Sequence, residues 1–216
     1  MLSSLKLLNE ALVLLIALLA GLFVFGRMGR FHLIMFWQLV VWMLFLTASY
    51  LLIAWQRYNG YDLNSHMVHN IYLPVEGAFL CAAASVQLGR ARFGRAGLWG
   101  FGIILIFYAW CLMTAGFNKY AFYADVAACF VYSFLFAMIM FQGFRENRSW
   151  WRNSEIYISA GVLIYAACSV PYFTAFDFLQ INYPSLSKTL FHLVNDVLAN
   201  VRYLLLAIGF WLVKIN

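Results

Sequence analysis

Charge is what this chain has least of. Only 10% of its 216 residues are Asp, Glu, Lys or Arg, against about 25% in a soluble domain, so most of its surface is not built to face water. Proline is rare as well, with three residues in all, which leaves long stretches free to run as helix. No link between the apolar stretches is long enough to be a soluble domain, which confines binding or catalysis to the space between helices or to short loops. No basic domain is present for nucleic acid. There is no CxxC spacing: Cys81, Cys111, Cys129 and Cys168 lie in separate apolar segments and read as buried, inert thiols rather than disulfides or metal ligands.

Apolar residues take the place of charge. The chain is 65% hydrophobic and 19% aromatic, with a mean hydropathy of +0.82. A membrane span needs about 20 mostly apolar residues. By that measure the sequence predicts an all-α integral membrane bundle, a single domain over 1–216, with seven spans at about 5–26, 32–56, 68–88, 96–117, 122–144, 154–175 and 188–213. The first run, from Leu7 to Phe25, is too long for the core of a signal peptide and reads as a retained helix.

The cations then orient the bundle. Arg27, Arg30, Arg90, Arg92, Arg95, Arg145, Arg148, Arg152 and Lys214 fall on one side, and Lys6, Arg57, Lys119 and Lys188 on the other. The positive-inside bias places the N-terminus outside and the C-terminus in the cytoplasm, in the plasma (inner) membrane. The net charge of +6 mostly reflects that asymmetry, with some attraction to anionic lipid. Tyr, Trp and Phe at the span ends are ordinary interface anchors.

Lipid does not explain "HMVHNIYLPVEG" or "HLVNDVLANVRY". On the third span, His69, Tyr72 and Glu76 follow one another at helical spacing, and His66 adds a fourth member above them. On the seventh, His192, Asn195, Asp196, Ala199 and Tyr203 form a second stripe. Glu76 and Asp196 each fall eight residues below the outer start of their span, so both are expected roughly 12 Å down. Carboxylates at that depth face a wet cavity or an ion partner. The expectation is a polar pocket open to the outside between spans three and seven, with Arg202 pointing up into an ion pair with Glu76 or Asp196. An architectural brace between two helices is the competing role for Arg202. Pro74 and Pro171, in the outer halves of their spans, each free a backbone carbonyl on the pocket's side or merely kink a helix. Asp125, Tyr123, Tyr132 and Tyr165 are weaker candidates for the cavity wall, Glu10 is shallow enough to reach the interface, and Asp177 reads as a loop residue.

Several chemistries would use such a pocket. One is binding or sensing of a small molecule or lipid, with cytoplasmic loops passing its state to a partner protein. Another is a zinc-dependent hydrolase of a lipid amide or ester, with His66, His69, His192 and Asp196 as ligands and Glu76 as a base. The "HLVND" pair resembles the metal-binding helix of the seven-helix ceramidase and adiponectin-receptor group, which implies zinc among the helices; that group carries two histidines where this span has His192 and Asp196. His69 and His192 are also close enough in level to flank a haem. A retinal would need a mid-helix lysine in the seventh span, and only Lys214 at its cytoplasmic end is present. A small-solute transporter remains open through the matching positions of Pro74 and Pro171 in an inverted pairing of spans. In its general pattern, "NIYLPVE" with "HLVNDVLANVRY", the chain resembles small uncharacterised seven-helix bacterial membrane proteins, a resemblance that implies a fold but no activity. Composition sets no oligomeric state.

Overall fold

A computed structural model of the chain describes residues 2–59, 66–89, 94–117, 119–146 and 150–215; within these, the side chains of 2–10, 57, 66, 67, 115, 146, 150, 177, 195 and 215 lie outside the described set. Nine α-helices make up the described residues, without a strand among them: α1 (Leu2–Val24), α2 (Arg30–Asn59), α3 (His66–Leu88), α4 (Arg95–Ala115), α5 (Phe122–Glu146), α6 (Ser154–Thr174), α7 (Phe176–Asn182), α8 (Pro184–His192) and α9 (Ala199–Ile215). A π-helical turn, Leu193–Leu198, joins α8 to α9. Six helical segments, from Arg30–Gln56 to the joined Pro184–Lys214, are long and apolar enough to cross a membrane; the described apolar part of α1, Ala11–Arg27, is shorter. The protein is a multi-pass all-α membrane protein.

Its long helices form a ring in chain order. Each of α1 to α6 packs on the next, α6 packs on α9, and α9 returns to α1. A cross-contact between α3 and α5 leaves α4 on the outside. Large apolar side chains point outward, as with Trp99 and Phe141, which are each more than 70% exposed; in water that surface would drive association, whereas in lipid it is the expected outer face. Inside, Leu14, Met35, Leu39, Leu80, Phe136 and Phe210 fill the core. Cys81, Cys111 and Cys129 are buried, but Cys168 lies on the exposed face of α6, so the expectation of four buried thiols is corrected there.

Glycine sets two helix contacts. A Cβ on Gly97 would run into the Cys81 carbonyl and the Ser85 hydroxyl, so its absence is what lets α4 lie against the α3 backbone. A Cβ on Gly161 would come within 3.0 Å of the Arg202 carbonyl. The α6–α9 approach at that level therefore depends on a residue without a side chain.

The two ends of the bundle differ. At one, Arg27 donates to the Lys214 carbonyl at 3.5 Å, His32 and Ser154 share a 2.8 Å hydrogen bond, and Gln87 donates to Glu155. Asn153 caps α6 there, its side chain accepting from the Glu155 amide at 2.9 Å. At the other end, buried Asn70 holds the α4–α5 link. It donates to the Phe117 and Lys119 carbonyls at 2.9 and 2.7 Å and accepts from the Ala121 amide at 3.0 Å. Gly116, at φ 77°, turns the chain out of α4 into that link.

Two expected boundaries change. The stretch read as a link after the sixth span is largely helical, as α7 and α8, and Asp177 lies in α7. The stretch expected as the seventh span is helical throughout but not uniformly wound, because its N-terminal half passes through the π turn. Pro74 and Pro171 both sit inside helices.

Candidate functional site

Glu76 lies ten residues into α3, about 15 Å along its axis and close to its middle. Arg202 Nη1 reaches Glu76 Oε1 at 2.8 Å across the ring from α9. Their side chains are 5% and 14% exposed, so this is a charge pair shielded on nearly all sides. Helix side chains lean toward their own N-terminus, which directs the Arg202 guanidinium up its helix to Glu76. The Tyr165 ring from α6 lies beneath the guanidinium, 5.3 Å from centroid to Cζ.

A cavity of about 80 Å³ opens at this pair, lined by Trp42, His69, Tyr72, Glu76, Tyr165, Ala199, Arg202 and Tyr203. That is room for several waters or for one small polar group. Four helices contribute to its wall, so it belongs to the closed ring and not to a single pair of spans.

The wall is hydrogen-bonded from behind. Gln38 Nε2 donates to the Tyr72 hydroxyl at 2.8 Å, and Trp42 packs on the Tyr72 ring with centroids 4.4 Å apart. His69 Nε2 meets Asp125 Oδ2 at 3.1 Å, and its ring stacks on Tyr120 at 4.7 Å. Tyr120 stands in the α4–α5 link. Burial, and after it the neighbouring Asp125 charge, push its hydroxyl well above the ordinary range, so it stays protonated.

One edge of Arg202 is unused. Among the described residues, its Nε and Nη2 have no hydrogen-bond partner, although both are buried. Trp42 Nε1 is in the same condition. Three buried donors without acceptors thus belong to two residues of one small cavity.

The sequence-derived set divides here. His69, Tyr72, Glu76, Arg202 and Tyr203 come together around the cavity. His192 and Asp196 do not line it: they pair with each other, Nδ1 to Oδ2 at 3.2 Å, with about a third of each side chain exposed. The π turn explains the separation. It takes about one residue more per turn than an α-helix, so the face carrying Asp196 falls out of step with the face carrying Ala199, Arg202 and Tyr203. The side chains of Asn195 and His66 lie outside the described residues, as does that of Glu10. For zinc, His69 holds Asp125 and His192 holds Asp196, and no group of three or more His, Cys, Asp or Glu side chains is gathered among the described residues. Of the two acids expected as partners of Arg202, Glu76 is the one paired with it.

Sequence reasoning overlooked Trp42 and Gln38. Both sit on α2, whose apolar pattern carries no stripe to single out one face, and only the packing of α2 on α3 brings them to Tyr72. Asp125 and Tyr165 had a legible signal, being polar groups within long apolar stretches.

No protein-family model matches the chain, and neither the curated proteins nor the solved structures yield a match. Fold and site therefore define the class, a helical multi-pass membrane protein with a buried ion pair beside a small polar cavity, and stop there.

Proposed function

We propose that the chain crosses the inner membrane seven times, N-terminus outside and C-terminus in the cytoplasm, and that the cavity at Arg202 binds the polar group of a small molecule or lipid arriving from the outer side. Its role is binding or sensing. The observation that supports it is the cavity itself, a polar space inside the helical ring with the Glu76–Arg202 ion pair on its wall and with two further buried Arg202 donors that have no partner among the described residues. A buried, unsatisfied donor costs about 1–3 kcal/mol. A purely bracing arginine would not need a polar cavity at its side.

Two features support the seven-span topology. With 23 residues, α1 is about 35 Å long and closes the ring. Arg27, Arg30, Arg152 and Lys214 stand near one end of the bundle, as the positive-inside bias requires of a cytoplasmic face. A route for a signal runs through Tyr72 and Gln38 to α2, whose first turn carries Arg30 and His32 at that same end.

The test is native mass spectrometry with elemental analysis of protein purified without chelators, wild type beside Arg202→Met. The expected result is an organic molecule retained by the wild type and lost from the variant. Identical contents in the two proteins would refute the binding reading, and near-stoichiometric zinc in the wild type would favour the hydrolase instead. For orientation, a fluorescent protein fused behind the last residue should fluoresce and an alkaline phosphatase at that point should be inactive; the reverse pattern would place the pocket on the cytoplasmic side.

A further inference from the structure

We propose that a second cavity, at the end of the bundle where Arg27 and Arg30 stand, binds a singly charged phosphodiester; this does not depend on the reading of the Arg202 cavity. The space measures about 270 Å³ and is bounded by the α1–α2 link, the starts of α2 and α6 and the end of α9, with Arg27, Gly29, Arg30, His32, Ser154 and Glu155 on its wall. Pockets that hold small molecules begin at about 300 Å³. Arg27 and Arg30 are both exposed, so a ligand entering the space meets them directly.

These two cations have no anion of their own. Among the described residues neither forms an ion pair. Arg27 uses one N–H on the Lys214 carbonyl, at 3.5 Å, and a guanidinium has five. The first turn of α2, which carries Arg30, lines the same space, and the positive end of its macrodipole adds to the two charges instead of offsetting them.

Charge and geometry then select the ligand. Glu155 is the one carboxylate on the wall, and its Oε2 accepts from Gln87 on α3. His32 and Ser154 hold each other at 2.8 Å and tie α2 to α6 beside the arginines. Two guanidinium groups against one carboxylate leave one positive charge in excess when His32 is neutral. A phosphodiester brings one negative charge and two non-bridging oxygens, an acceptor for each arginine. The level in the bilayer agrees. Lys214 Nζ lies over the rings of Phe23 and Trp211, at 4.5 and 5.1 Å, an aromatic and lysine arrangement that marks the depth of lipid headgroups. A phospholipid headgroup and a soluble phosphodiester share this chemistry.

The delipidated protein in a neutral detergent is titrated separately with phosphatidylglycerol and with glycerophosphoglycerol, the same headgroup without chains, and followed by native mass spectrometry. One saturable adduct per chain is expected. Tighter binding of phosphatidylglycerol identifies a lipid, and equal binding of the two identifies a soluble ligand. Arg27→Gln with Arg30→Gln should weaken the adduct about tenfold or more. Arg95→Gln with Arg145→Gln removes the same charge from exposed positions outside this wall and should leave it unchanged. Should the first double variant fail to fold, Arg30→Gln alone should weaken binding about threefold or more. Equal weakening by the two double variants would reduce the effect to general attraction of anionic lipid to a basic surface, and would overturn the proposal. Phosphatidylcholine has the same phosphate with its charge cancelled by choline; competition as strong as that of phosphatidylglycerol would overturn the charge match. Absence of an adduct with both probes would overturn the site itself.

Discussion

Removing Glu76 should cost the protein more than removing Glu76 and Arg202 together. The pair is 2.8 Å long and its side chains are 14% and 5% exposed, so water screens it little. With charge centres about 4 Å apart and an effective dielectric constant of 20, the attraction is about 4 kcal/mol. Glu76→Leu forfeits that attraction and strands a buried cation, for an expected loss of about 3–5 kcal/mol. Arg202→Met strands the carboxylate and should lose about as much. In the double variant no charge remains, the apolar side chains occupy similar volume, and stability should return to within about 1–2 kcal/mol of wild type. The assay is reversible unfolding in mixed micelles with increasing dodecyl sulfate, followed by tryptophan fluorescence, on all four proteins. Single losses below about 1 kcal/mol that simply add would mean a hydrated pair resembling a surface salt bridge. That result would refute the buried-pair reasoning.

Other consequences are as direct. Asn70→Ala leaves two carbonyls and one amide of the α4–α5 link without their partner; unfolding should become easier by about 2–3 kcal/mol, and limited proteolysis should begin near residues 117–121. Gly97→Ala forces α3 and α4 apart and should destabilise by about 1–3 kcal/mol, whereas Gly102→Ala, where an added Cβ meets nothing within 4 Å, should be neutral or slightly stabilising; equal effects in the same unfolding assay would contradict the packing described. Cys168 is exposed only within the apolar span Ser154–Thr174 and the other three thiols are buried, so maleimide should leave all four cysteines unmodified in the folded, membrane-embedded protein and modify all four after denaturation, as read by peptide mass spectrometry.

The apolar composition by itself determined that this is a helical membrane protein, because lipid leaves the backbone no other way to satisfy its hydrogen bonds except a closed barrel. Residue spacing was equally informative where the helix is regular. Along α3, the 3.6-residue repeat put His69, Tyr72 and Glu76 on one stripe, and all three line the cavity. Arg202 was legible because a buried cation needs an anion and the lean of helix side chains points it toward one.

Tertiary structure decided the rest. Asp196 and Glu76 have the same look in the sequence, yet Asp196 lies in a π turn and pairs with His192. Local spacing assumes a constant pitch and cannot register such a slip. Trp42, Gln38 and Asp125 reach the site only because α2 and α5 close on α3, and in a bundle whose helices are apolar all round, the side that faces inward is chosen by packing between helices rather than by a pattern within any one of them.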